Sequence, residues 1–172
     1  LLGWDEDCKA LQARMQSVRR WRPNEEWPVA TDEYLLKTLE TWLGPYLSKV
    51  YKLSELEKLD FKTMLLGLMP WNLQSRLASL VPTHLAVPSG SMIALQYFED
   101  GRPPVMEVRL QEMFGLPETP TVNEGRTKIL LHLLSPGYKP VQVTQDLASF
   151  WKNTYQEVRK ELKIRYPRHS WP

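Results

Sequence analysis

Arg102, Arg109, Arg126, Lys128 and Lys139 come from segments of the second half that read as strands or loops, where a charged side chain stays in water. Guanidinium and ammonium groups so placed suit phosphate oxygens. Tyr97 and Tyr138 lie among them and could stack on bases, at about 1–3 kcal/mol for each base stacked. A second basic set, Lys152, Arg159 and Lys163, forms a stripe along the last helical stretch, and the irregular tail carries Tyr166 and Trp171 as candidates for docking on protein. The chemistry these types offer is binding. The competing reading is structural: Arg109 on a solvated strand face, Tyr97 in the core, and a basic helix face that serves solubility.

Bond-making chemistry has no comparable set of residues. The sequence contains no phosphate loop of the form G-x-x-x-x-G-K-[ST] and no G-x-G-x-x-G. Asp5-Glu6-Asp7 lacks the preceding apolar strand that a metal-binding ATPase motif needs, and reads as a charged helix start. His84, His132 and His169 are far apart and Cys8 is alone, so a zinc site is not expected. Pro88-Ser89-Gly90-Ser91 has turn residues but not the G-x-S-x-G of a nucleophile elbow. No catalytic residue, metal or cofactor is therefore expected within this segment.

The elements that must position the basic and aromatic residues follow from pattern. The 172 residues carry 42% hydrophobic and 24% charged side chains, as an ordinary globular chain does. A net charge of +2 is too small to imply nucleic acid by itself, but the segment from Leu147 onward is distinctly basic. The single cysteine fits a reducing compartment, and a cytoplasmic location is expected; no apolar run is long enough to span a membrane.

Residues 1–81 read as helical. Thr31 caps a helix with a stripe over Leu35, Leu36, Leu39, Trp42 and Leu43; Ser54 with Glu57 has the form of a capping box; Phe61, Met64, Leu65 and Leu68 define another face; Pro70 opens a helix burying Leu73, Leu77 and Leu80. Residues 82–146 alternate instead. His84–Val87, Ser91–Phe98, Val105–Leu110, Lys128–Leu134 and Pro140–Thr144 read as five strands, with a helical turn at Gln111–Phe114 closed by Gly115. That order predicts an α+β chain whose middle is a small five-stranded antiparallel OB-like barrel. Residues 147–172 form a C-terminal helix capped by Asp146, burying Leu147, Trp151, Tyr155, Val158 and Leu162, and then a basic tail. Trp71, Trp151 and Trp171 are expected to anchor packing between helices and barrel.

Leu133-Leu134-Ser135-Pro136 running into Pro140–Trp151, and Glu157–Leu162 running into Arg165-Tyr166-Pro167-Arg168-His169-Ser170-Trp171-Pro172, resemble the C-terminal signature of HrpB-type DEAH-box helicases. Val87-Pro88-Ser89-Gly90-Ser91 and Arg109-Leu110-Gln111-Glu112-Met113-Phe114-Gly115 match the same pattern. These motifs cover about half of the chain and are specific in combination. The resemblance implies a longer ATP-dependent RNA helicase (a hydrolase of nucleoside triphosphates) whose motor domains bind ATP and magnesium outside this segment. In related helicases an OB-fold lies near the RNA exit and can receive activator proteins. On that basis the segment is expected to be a non-catalytic accessory region that contacts single-stranded RNA or regulates the motor domains of its own chain. The alternative is a protein-docking or bracing module without RNA contact.

Overall fold

Asp5 begins helix α1 (Glu6–Trp21) by accepting a hydrogen bond from the Cys8 N–H at 3.0 Å, with Glu6 and Asp7 in the positive first turn. The computed structural model describes residues 4–50, 52–56 and 58–172, which divide into two units. The first runs to Val81 and takes in Tyr97–Arg102; the second holds Pro82–Gln96 and Pro103–Pro172.

In the first unit, α1 buries Cys8, Leu11, Met15 and Val18 at helical spacing. Gln12 is buried with them, and its polar atoms are satisfied. Its amide donates to the Ala30 carbonyl at 2.8 Å and to Asp32 Oδ1 at 2.9 Å, and its oxygen accepts from the Trp4 indole at 2.9 Å. Thr31 caps α2 (Asp32–Lys37) as expected. The apolar stripe that follows is interrupted, because the Thr38 hydroxyl donates back to the Tyr34 carbonyl and the helix stops before α3 (Leu39–Trp42). Leu35, Trp42 and Leu43 are buried while Leu36 is exposed.

After α4 (Leu53–Leu56), the capping box expected from Ser54 and Glu57 reaches outside the described residues at Glu57. Asp60 starts α5 (Phe61–Leu66), which buries Phe61, Met64 and Leu65; Pro70 precedes α6 (Trp71–Leu80), which buries Leu73, Leu77 and Leu80. Trp71 is not a packing anchor. It is 79% exposed, because it lies about 160° around the helix from Leu73.

Tyr97–Arg102 belongs to this helical unit through three side chains of α1. Ser17 Oγ donates to the Phe98 carbonyl, Arg20 Nε to the Glu99 carbonyl and Trp21 Nε1 to the Gly101 carbonyl, at 2.7, 2.8 and 2.7 Å. Gly101 sits at φ +82°, and a Cβ there would meet Arg20 Cδ at 2.9 Å. Gly101→Ala should therefore cost about 1–2 kcal/mol, read as a lower urea midpoint.

The second unit is not a closed barrel. Seven short strands form among its described residues: β1 (His84–Ala86), β2 (Met92–Ala94), β3 (Val105–Arg109), β4 (Thr121–Val122), β5 (Thr127–Lys128), β6 (Leu130–Leu134) and β7 (Pro140–Thr144). They pair as three small sheets, β1-β2, β3-β6-β7 and β4-β5. The β3-β6 pair is parallel, with Arg109 opposite Leu134, and β6-β7 is antiparallel with an irregularity at Leu133/Leu134. Closure requires an unbroken ladder around the sheet. Here β2 reaches β3 only through the Gln96–Val105 bridge, because the chain leaves the ladder after Gln96 and returns through Pro103-Pro104, which offer no N–H donors. Met106, Val108, Leu131 and Leu133 supply the buried face, and Glu107 points outward.

The C-terminal helix also departs from a simple stripe. Between α7 (Leu147–Ser149) and α8 (Tyr155–Arg165), residues Phe150–Thr154 form a π turn in which the Tyr155 N–H bonds the Phe150 carbonyl. The extra residue rotates the phase, so Phe150 is buried in place of Trp151, with Leu147, Tyr155 and Leu162. Trp151 and Val158 are only half-buried.

Candidate nucleic-acid interface

The segments Val87–Ser91 and Arg109–Gly115 meet at one carboxylate. The strand β3 ends at Arg109, and the tight helical turn Leu110–Met113 brings Glu112 back beside it. Glu112 is nearly buried, and its Oε1 accepts from the Ser91 hydroxyl at 2.7 Å and the Ser89 hydroxyl at 3.3 Å. Its Oε2 forms an ion pair with Arg109 Nε at 3.6 Å. The turn from β6 to β7 closes through Ser135 N–H to the Lys139 carbonyl at 2.8 Å and Tyr138 N–H to the Ser135 carbonyl at 2.9 Å. Since Arg109 is in register with Leu134, this turn projects beside it. The Arg109 guanidinium carbon lies 5.1 Å from the centroid of the Tyr138 ring.

Tyr138 is thus held in position yet 66% exposed. Its backbone lies at φ +63°, a conformation that non-glycine residues adopt at a cost and that recurs at functional sites. Lys139 follows it directly and is exposed. The structure brings together Arg109, Tyr138 and Lys139, an aromatic face beside two cations. Arg126 and Lys128 are exposed on or beside the β4-β5 hairpin, whose loop carries Asn123, Glu124 and Gly125 at positive φ. Lys152 and Lys163 are exposed, but the π turn separates them in phase, and Arg159 donates to the Trp171 carbonyl at 2.8 Å.

Three candidates are otherwise employed. Arg102 belongs to the first unit, where Nε and Nη2 bond the Asp100 carboxylate at 2.9 and 2.7 Å and the guanidinium covers the Phe98 ring. That pairing raises the Arg102 pKa and holds Asp100 below the usual carboxylate range, so both stay charged and the guanidinium is paired locally. Tyr97 is 6% exposed, its hydroxyl pKa raised by burial, and its ring faces Trp21, which leaves no face for a base. Trp171 is buried against Phe114 and His169 and donates its indole N–H to the Tyr166 carbonyl at 3.1 Å. It packs the tail and is not open to a partner. Tyr166 is half-buried, its hydroxyl 3.2 Å from Ser135 Oγ.

Sequence reasoning did not select Ser89, Ser91 and Glu112 as site residues, although the two segments that hold them had been singled out. Their meeting depends on the chain returning through β3. Among the described residues no cluster of three His, Cys, Asp or Glu could hold a metal, and no helix is long and apolar enough to cross a membrane.

Residues 42–172 match the family described as ATP-dependent helicase C-terminal. Across all 172 residues the chain is 46% identical to the ATP-dependent RNA helicase HrpB of Escherichia coli K12, of which it spans 21%. Two crystal structures, of the E. coli DExH-box NTPase HrpB and the E. coli DEAH/RHA helicase HrpB, superpose with TM-scores of 0.94 and 0.82 at 46% and 45% identity. Each superposition covers 99% of this chain and 21% of the other.

Proposed function

The chain belongs to the C-terminal family of HrpB-type ATP-dependent helicases, and from that premise we propose that its second unit is an accessory surface that holds single-stranded RNA for a motor elsewhere in a longer chain. Magnesium and ATP belong, in this reading, to that motor. The sequence of this chain contains no phosphate loop of the form G-x-x-x-x-G-K-[ST].

The observation that carries the reading is Tyr138, an exposed ring on a fixed turn with the Arg109 guanidinium against it. Glu112, held by Ser89 and Ser91, orients Arg109, and Arg109 in turn supports the ring. A base stacks on such a ring without sequence preference, while Lys139 and the hairpin cations Arg126 and Lys128 meet phosphates. Docking through Tyr166 and Trp171 fits less well, since the Tyr166 hydroxyl lies against Ser135 of the β6-β7 turn and the Trp171 indole is bonded to the Tyr166 carbonyl.

Fluorescence anisotropy with labelled single-stranded RNA tests the proposal. Binding should weaken steeply from low to moderate salt. Tyr138→Ala should weaken it by roughly 5- to 150-fold, the range expected for one lost stack, and Tyr138→Phe should keep most of it. Equal affinity of Tyr138→Ala and the parent chain would exclude the stacking role, and no binding at either salt would exclude the RNA surface.

A further inference from the structure

Beside the Tyr138 turn, the second unit contains a cleft of about 390 Å³. Ser135, Lys139 and Val141 form one wall, and Val158, Glu161 and Arg165 of α8 form the other. The volume falls within the range of small-ligand sites, roughly 300–1,000 Å³. Its charged groups differ from their helix neighbours. Arg159 is used on the Trp171 carbonyl and Lys160 pairs with Glu157 at 3.5 Å. The side chains of Lys139, Glu161 and Arg165 make no hydrogen bond or ion pair among the described residues, although all three line the same cleft.

All three are exposed and hydrated in the free chain, so the cleft offers two cations that can take an anion and one carboxylate, an acceptor only, that can take a donor. A ribose-phosphate unit of RNA brings both, one negative charge on the phosphodiester and a 2′-hydroxyl that donates. DNA supplies the phosphodiester and lacks the hydroxyl. We propose that the cleft between the Ser135–Lys139 turn and α8 seats a ribose-phosphate of RNA, with Lys139 and Arg165 on the phosphate and Glu161 on the 2′-hydroxyl, and that it thereby selects RNA over DNA.

This rests on the RNA-binding reading and deepens it. The nucleotide whose base covers Tyr138 places its backbone at Lys139, the next residue and part of the cleft wall. Without a 2′-hydroxyl, Glu161 faces a phosphate with nothing to accept from and opposes the strand. The selection therefore combines a bond gained with RNA and a repulsion kept with DNA.

The test compares matched single-stranded RNA and DNA oligonucleotides on the parent chain and on Glu161→Ala, Arg165→Ala and Tyr138→Ala. The parent chain should prefer RNA by about tenfold, as for one hydrogen bond to a charged group. Glu161→Ala should bring the RNA-to-DNA ratio close to one, by weakening RNA or tightening DNA. Arg165→Ala should weaken both and lower the salt slope by about 0.7. Tyr138→Ala should weaken both without changing the ratio. A ratio unaffected by Glu161→Ala, or a salt slope unaffected by Arg165→Ala, overturns the cleft assignment while leaving the stacking platform in place. Should the oligonucleotides fail to bind at all, titration with adenosine 5′-monophosphate decides separately. Amide NMR shifts confined to Ser135, Lys139 and α8 would retain the cleft, and their absence would remove it.

Discussion

Trp171→Ala is expected to destabilise the chain by about 3–5 kcal/mol, the range for truncating a buried tryptophan. The indole is 4% exposed, with its ring 6.2 Å from that of Phe114 and 6.2 Å from that of His169. Alanine removes this packing and leaves a void. It also leaves the Tyr166 carbonyl without the indole N–H that bonds it at 3.1 Å. The loss extends back along α8, because Arg159 holds the tail through the Trp171 carbonyl at 2.8 Å. In a chain of 172 residues the change corresponds to a fall in Tm of roughly 6–20 °C. Urea unfolding of parent and variant is the direct measurement. Unchanged stability, with loss of capture of a protein partner, would instead make Trp171 a docking residue.

The second large effect is in the helical unit. The Glu25 carboxylate lies between two guanidinium groups, with Arg76 Nη1 at 2.6 Å and Arg22 Nη1 at 2.7 Å, and it also accepts from the Trp27 indole at 3.1 Å. The hydrogen bond from Arg76, then that from Arg22, hold its pKa at about 2, below the ordinary 4.5. A carboxyl whose pKa is lower in the folded chain binds its proton less readily there than in the unfolded chain. Its contribution to stability is therefore complete above about pH 4.5 and is lost as pH falls toward 2. Glu25→Ala should cost about 1–3 kcal/mol at neutral pH, since it removes the acceptor shared by the Arg22, Arg76 and Trp27 side chains. Urea midpoints measured from pH 7 to pH 2 check both parts. The parent chain should lose stability below pH 4.5 more steeply than the variant, and parallel curves would show that Glu25 is not the titrating group.

Several features of the chain were legible without its fold, and they share one property: their causes lie within a few residues. Thr31 and Asp146, read as caps, each start a helix by accepting an N–H from three residues on. Gly115 takes the left-handed conformation at φ +96°, and β7 spans Pro140–Thr144 as read. The α+β character follows from such local choices, and the family from motifs that are themselves local strings. Arg109, Tyr138 and Lys139 could each be named as binding candidates by residue type alone.

Their partnership could not. An alternating strand states which side chains share a face but not which strand lies beside it, so the parallel β3-β6 pairing that sets Arg109 next to the Tyr138 turn was invisible. The same gap produced the expectation of a closed barrel, where two prolines and the departure of Tyr97–Arg102 left three small sheets. Helix phase decided the tryptophans. Trp71 faces away from the buried residues of its helix, and one extra residue in the π turn moves Phe150 into the place expected for Trp151. The sequence by itself determined the helical first half, the extended middle, the caps at Thr31 and Asp146 and the supply of cations and rings, because caps and local conformation depend on backbone hydrogen bonds over three or four residues and the supply on residue type alone. Only the tertiary structure decided which ring stays open, as Tyr138 does, and which cation lies against it, as Arg109 does, because exposure and that contact depend on residues distant in the chain.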